Sequence, residues 1–188
     1  IKMRKLLIIF LIYLFNTTTV FAEVVKKINI SGNSRVNEET IKIYGGIKIN
    51  EDYSEQDLNR ILVDLYSTNF FKDVRIDLQN NNLNIYLIEH PVINELVIIG
   101  EPSNKYKEEI KKIIKSKEKN SYIKSNVAKD IELIKQLYSS VGYNFSEIDV
   151  KIRELDKLNL DLIFEIKKGE ETRISKITFI GDKKIRDK

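Results

Sequence analysis

The sequence predicts an α+β protein made of tandem copies of one β-α-α-β-β unit, with two helices on one face of three strands. Three observations predict it. First, Leu58, Ile61, Leu62, Leu65 and Tyr66 recur with helical spacing, which makes one apolar stripe. Directly afterwards the period changes: Val74, Ile76 and Leu78 alternate with Arg75, Asp77 and Gln79, as in a half-buried strand. Second, the same succession returns at Asp130–Ile152. There Leu137-Tyr138-Ser139 echoes Leu65-Tyr66-Ser67, an aromatic corner follows, and Ile148, Val150 and Ile152 alternate. A repeat of this length means one supersecondary unit used again. Third, Gly32, Gly100 and Gly181 each close an alternating apolar run.

In Val24–Ser31, Ile28 and Ile30 alternate with polar residues, and Gly32-Asn33 turns the chain. Val36–Tyr44 is a short helix with Val36, Thr40, Ile41 and Tyr44 on one face, and Gly45-Gly46 breaks it. Ser54 opens the second helix, with Asp57 as the partner of a capping box. After the strand through Leu78, Asn80-Asn81-Asn82 is a turn, Leu83–Ile88 is the third strand, and His90-Pro91 closes the unit.

Unit two repeats the order. Ile93–Ile99 is its first strand. Tyr106, Ile110, Ile113 and Ile114 stripe a helix, and Lys115–Asn120 is a polar loop. A second helix starts near Ser125 or Asn126 and carries Val127, Ile131, Ile134 and Tyr138. Ile148–Glu154 and Leu158–Ile166 form a hairpin over Leu155–Lys157, and Lys168-Gly169-Glu170 closes the unit. Ile174–Ile180 opens a third copy that stops at Lys188, so a fragment, or a product cut short, is expected. A lone strand cannot pair its backbone or bury its face.

Composition bounds the function. The chain has 188 residues and is 42% hydrophobic and 32% charged, as globular proteins are. Its net charge of +4 owes +3 to Lys2, Arg4 and Lys5 in an acid-free start, so the basic balance does not point to nucleic acid. That start reads as a secretory signal peptide over residues 1–22: a basic n-region, the apolar Leu6–Phe15, and Val20-Phe21-Ala22 as the cleavage site between Ala22 and Glu23. The apolar run is too short to span about 30 Å of hydrocarbon. Ile1 is an odd first residue, and Met3 is the candidate initiator. With no cysteine, an exported chain is held by its core alone.

No enzyme site is visible. The single histidine, His90, adjoins a proline in a loop, and no zinc-ligand spacing exists around it. Gly45-Gly46 lacks the phosphate-loop pattern, and Ser31-Gly32-Asn33-Ser34 has no triad order. Neither cofactor, metal nor small-molecule substrate is expected. The acidic residues are assigned to caps, turns and outward strand positions, where solvation accounts for them. Phe70-Phe71 and Tyr143/Phe145 read either as a binding patch or as plugs in the corner between helix and strand; both copies place them there, which favours the plug. Arg75, Asp77 and Gln79 read either as guards on an edge strand or as part of an edge that accepts a visiting strand.

The ordered set Ile30-Ser31-Gly32-Asn33 with Arg35-Val36, Leu65-Tyr66, Phe70-Phe71-Lys72-Asp73-Val74-Arg75 and Glu89-His90-Pro91 resembles POTRA domains. Tyr138, Gly142-Tyr143, Lys168-Gly169-Glu170 and Ile177-Thr178-Phe179-Ile180-Gly181 extend the resemblance over nearly all of 24–188. It implies a three-stranded mixed sheet in each unit, one POTRA domain over 23–91, a second over 92–170, and the start of an incomplete third over 171–188. It also implies a periplasm-facing scaffold, attached to the outer membrane through a carboxy-terminal β-barrel that this chain lacks. Such a scaffold binds nascent outer-membrane proteins and other assembly-complex subunits. The edge used for strand addition, carried over, is Asp73, Val74, Arg75, Ile76, Asp77, Leu78 and Gln79, and in unit two Ile148, Asp149, Val150, Lys151, Ile152, Arg153 and Glu154. A TamA-like factor or a two-partner secretion transporter is the alternative. A nucleic-acid module of the KH type is the least favoured, because Gly45-Gly46-Ile47-Lys48 does not make its G-x-x-G loop.

Overall fold

Ile28 and Ile30 place their side chains on one face of a strand, and that strand is the first rail of the first sheet. The computed structural model describes residues 23–178, and the chain divides into two units between Glu89 and His90. The expected leader and Ala22 lie outside the described residues. So do the last residues of the third copy, including Phe179-Ile180. Ile174 and Ile177, expected in the strand that opens the third copy, are exposed in chain without regular structure.

Unit one runs β1 (Glu23–Val24), β2 (Lys27–Ser31), α1 (Glu38–Gly45), β3 (Asp52–Tyr53), α2 (Glu55–Ser67), β4 (Phe71–Gln79) and β5 (Asn82–Glu89). The first helix begins two residues later than expected, at Glu38, because the Asn37 side chain caps it by accepting the Thr40 N–H; it runs through Gly45, and Gly46 closes it at φ 61°. Ser54 and Asp57 form the full capping box of α2. Between β4 and β5 stand only Asn80 and Asn81, with φ 53° and 62°. Two left-handed residues make the turn whose twist matches that of a hairpin.

The sheet order is β2-β5-β4, so the last strand is the middle one. β2 runs parallel to β5, with Ile30 opposite Ile85; β4 runs antiparallel to it, with Ile76 opposite Ile85. Ile41, Ile61 and Leu65 from the helices meet Val74, Leu83, Ile85 and Leu87 from the sheet in one core. Each such aliphatic side chain contributes roughly 1.5–3 kcal/mol. A feature absent from the expectation is the ribbon of β1 and β3, which pairs Glu23 with Tyr53 and Val24 with Asp52. Strands this short carry no readable period.

Unit two runs β6 (Val92–Ile99), α3 (Asn104–Ile113), α4 (Lys124–Ser140), β7 (Glu147–Glu154) and β8 (Asn159–Lys167). Its sheet order β6-β8-β7 repeats the first, with a parallel and an antiparallel pairing. Its separate core joins Ile110, Val127, Ile134 and Tyr138 to Ile148, Leu162, Phe164 and Ile166. The expected α+β units with mixed sheets are therefore what the chain forms.

Two of the three recurrent glycines fall among the described residues, and they have one cause. A Cβ on Gly32 would stand 2.0 Å from the Leu87 carbonyl oxygen, and one on Gly100 would stand 2.0 Å from that of Ile166. Both residues also take positive φ, 85° and 83°. Leu87 and Ile166 are thus matching positions of the two middle strands. Their partners Val74 and Ile148 match as well.

Two expectations need correction. Leu65-Tyr66-Ser67 and Leu137-Tyr138-Ser139 are not equivalent. Ile61 and Leu65 are fully buried in α2, whereas Ile134 and Tyr138 are fully buried in α4. Core positions repeat every three to four residues, so Tyr138 answers to Leu65 and the sequence echo is one residue out of step. The aromatic corner also differs between the units. Phe71 is buried and Phe70 packs beside it, whereas in unit two Tyr143 packs against the core but Phe145 is 77% exposed.

Candidate binding edges of the two sheets

β4 and β7 are edge strands, since each has a ladder partner on one side only, β5 and β8 respectively. The segments Asp73–Gln79 and Ile148–Glu154 lie within them. Along β4 the side chains divide as the alternation requires. Val74 is buried, Ile76 and Leu78 are half-buried toward the helices, and Arg75 and Asp77 face the other way. The Arg75 guanidinium pairs with Asp73 at 3.1 Å, and the Gln79 amide donates to Asp77 at 3.2 Å. Both contacts run along the strand. Beside them on β5, Tyr86 and Ile88 are half exposed, and a groove of about 490 Å³ is lined by Asp73, Arg75, Asp77, Tyr86, Leu87 and Ile88.

β7 arranges its charges differently. Lys151 pairs with Glu165, Arg153 with Asp161 at 2.7 Å, and Asp149 with Lys167 at 3.5 Å, all across to β8. These side chains are drawn toward the sheet interior and away from the free backbone edge. Glu165, beside the Lys151 ammonium, raises its pKa first by a hydrogen bond and then by charge. On the helix side Ile148 is buried, Val150 is half-buried and Ile152 is 44% exposed. The strand therefore runs past the end of its own core.

The expectation that solvation accounts for the acids fails at four positions: Glu89, Glu101, Asp130 and Asp161 are buried. Buried carboxylates need hydrogen-bonding partners, and each has them. Glu89 accepts the N–H groups of Ser34, Arg35 and Val36 at 2.9–3.0 Å, and the Arg35 guanidinium lies 3.7 Å away. Burial by itself pushes its carboxyl up, but these N–H groups and Arg35 together hold it below the usual carboxylate range. Asp130 accepts the Lys115 and Ser116 N–H groups. Asp161 accepts from Asn94 and Arg153, which hold it low.

Glu101 accepts from the Tyr138 hydroxyl and the Ser103 N–H, with the Lys168 ammonium 3.4 Å away. Burial raises this carboxyl and those three groups lower it further than burial raises it. The Tyr138 phenol is pushed up, first by burial and then by Glu101. Lys168 lies 4.7 Å, 5.1 Å and 5.7 Å from the ring centroids of Tyr143, Tyr106 and Tyr138, an arrangement that stabilises a cation.

Two of these acids were detectable. Glu89 continues the inward alternation of Leu83, Ile85 and Leu87. Asp130 stands three residues after Val127 and four before Ile134, on the apolar stripe of α4. These partners make the carboxylates structural. Among the described residues no group of three or more metal-ligating side chains stands together. Nor is any helix there long and apolar enough to cross a membrane.

A family model described as POTRA, surface antigen variable number repeat, matches residues 23–89 and again residues 91–169. The outer membrane protein assembly factor BamA of Neorickettsia risticii is 28% identical over 177 residues, covering 93% of this chain and 24% of the relative. The protein of the same name in Neisseria meningitidis serogroup B is 25% identical over 167 residues, covering 87% and 21%. The chain thus spans about a quarter of the length of these relatives. Among solved structures, the N-terminal domain of Omp85 from Thermosynechococcus elongatus superimposes with a TM-score of 0.51 at 13% identity. It covers 78% of this chain and 63% of that one, a likeness of fold.

Proposed function

The chain belongs to the POTRA family, and from that premise we propose that it is the periplasmic scaffold region of an outer-membrane protein assembly factor. It binds nascent outer-membrane proteins and other subunits of the assembly complex. The protein is exported and held at the outer membrane by a carboxy-terminal barrel outside this chain. Binding occurs by strand addition at Asp73–Gln79 and Ile148–Glu154.

The observation that carries this reading is the position of β4 and β7, each an antiparallel edge strand in its sheet. A backbone ladder accepts an extended client whatever its side chains are, which suits a scaffold for many unfolded sequences. The alternation of apolar and charged residues supports the same reading. The apolar set Ile76, Leu78 and Ile152 offers contact to alternate side chains of a client, while the charged set discourages pairing between copies.

A photo-crosslinking amino acid placed at Arg75 or at Lys151 tests it. Each variant is mixed with an outer-membrane barrel protein diluted from urea. Cross-links at these two positions, and none from a control position at Lys42 on α1, are expected. Cross-links of equal yield at all three, or at Lys42 alone, mean that the edges are not the binding site.

A further inference from the structure

The two edges are not alike, and the difference lies in one side chain. Tyr66, at the end of α2, is 38% exposed. Its hydroxyl accepts the backbone N–H of Val74 at 3.1 Å and donates to the Asp73 carboxylate at 3.2 Å. A side chain therefore occupies an N–H of the edge strand.

The alternation of an antiparallel ladder sets what this N–H is. Residues whose backbone groups face the partner strand alternate with residues whose groups face away. Since the Val74 N–H meets Tyr66 rather than β5, the backbone groups of Val74, Ile76 and Leu78 face outward. The register with β5 shifts between Phe71 and Asp73. Val74 is therefore the first outward residue of the regular edge, and Tyr66 holds it.

Unit two lacks this device. The residue matching Val74 is Ile148, and among the described residues no side chain bonds its N–H. Tyr138, the tyrosine that the sequence echo pairs with Tyr66, is buried and donates to Glu101. It cannot reach the edge.

We propose that Tyr66 sets the register of strand addition in unit one. A visiting strand pairs at Ile76 and Leu78 and stops short of Val74, whereas on β7 pairing extends back to Ile148. This rests on the strand-addition reading given above. Tyr66 is a positioning residue, and Asp73 orients its hydroxyl.

The test uses the isotope-labelled full chain and Tyr66→Phe, which keeps the ring and removes only the hydroxyl. The probe is a synthetic peptide of alternating valine and threonine with lysines at both ends, N-methylated on alternate residues so that it pairs along one edge only. In the wild type, amide shifts are expected at Ile76 and Leu78 without Val74, and at Ile148 and Val150 in unit two. In Tyr66→Phe the unit-one shifts should extend to Val74, with binding there about two- to tenfold tighter from one more net hydrogen bond and unit two unchanged.

Shifts that reach Val74 in the wild type, or an unchanged span in Tyr66→Phe, overturn the proposal. Hydrogen exchange without peptide separates the two ways of failing. If Val74 exchanges faster in Tyr66→Phe but the peptide shifts neither edge, the cap is real and strand addition itself falls, taking the register claim with it. If Val74 exchanges alike in both proteins, the cap is not formed and the register claim falls, while shifts at Ile76 and Leu78 leave strand addition standing.

Discussion

Glu89 is the residue on which the start of unit one turns. Three consecutive N–H groups, of Ser34, Arg35 and Val36, converge on one buried carboxylate, so the loop entering α1 is tied to the end of the middle strand. The folded carboxyl releases its proton at a lower pH than the unfolded one, whose pKa is about 4.3. Between those two pH values the unfolded chain binds more protons. The stability that Glu89 contributes is therefore complete above about pH 4.3 and is lost as pH falls through the folded pKa. Glu89→Gln should destabilise unit one by about 1–3 kcal/mol at neutral pH, through loss of charge-assisted hydrogen bonds. It should also flatten the acid limb of stability against pH, measured by urea unfolding from pH 7 down to pH 3. An acid limb as steep in the variant as in the wild type would show that another carboxylate governs it. Glu89 was in plain sight as an acid on an inward strand position, yet its meaning was not. Alternation identifies the face, but the three N–H groups come from residues more than fifty positions away.

At the scale of elements, the crossing of β2 into α1, and of β6 into α3, depends on close backbone approach. Gly32 and Gly100 each put a hydrogen where any other residue puts a Cβ against a carbonyl of the middle strand. Gly100→Ala should cost at least about 2 kcal/mol, because the positive φ is strained for alanine and the obstacle is backbone that cannot swing aside. Gly46→Ala, at a similar φ but with open space around it, should cost about 1 kcal/mol. Equal losses for the two in thermal or urea unfolding would remove the steric part of the explanation. These glycines were visible as a repeat, and the capping box of α2 and the Asn80-Asn81 turn were visible with their mechanism. The β1–β3 ribbon was not, because two-residue strands show no period. Nor was the true register of α4 against α2, because Leu-Tyr-Ser matches in letters while the core follows the helical turn.

For the molecule as a whole, the two cores are separate clusters, one on each side of the boundary between Glu89 and His90. Ile134 is fully buried in the second, and Ile134→Ala should cost about 2–5 kcal/mol there. Amide exchange should rise in β6, β7 and β8 and stay near wild type in β4 and β5. A matched rise in both units would mean that the chain unfolds as one cooperative body. The same division bears on function, since each unit presents its own edge strand.

Local physics, written in short stretches, determined the helices, the long strands, their order and their repetition in this chain, while the two candidate edge segments came from the resemblance to POTRA domains. Val74, Ile76 and Leu78 declare a half-buried strand by their spacing alone. Tertiary structure decided what depends on distant partners. It placed the last strand of each unit in the middle of its sheet, supplied N–H groups to Glu89 and Asp130, and sent Tyr138 into the core while leaving Tyr66 at the edge. Periodicity records which face a residue takes, and only the packed chain brings that face to its neighbour.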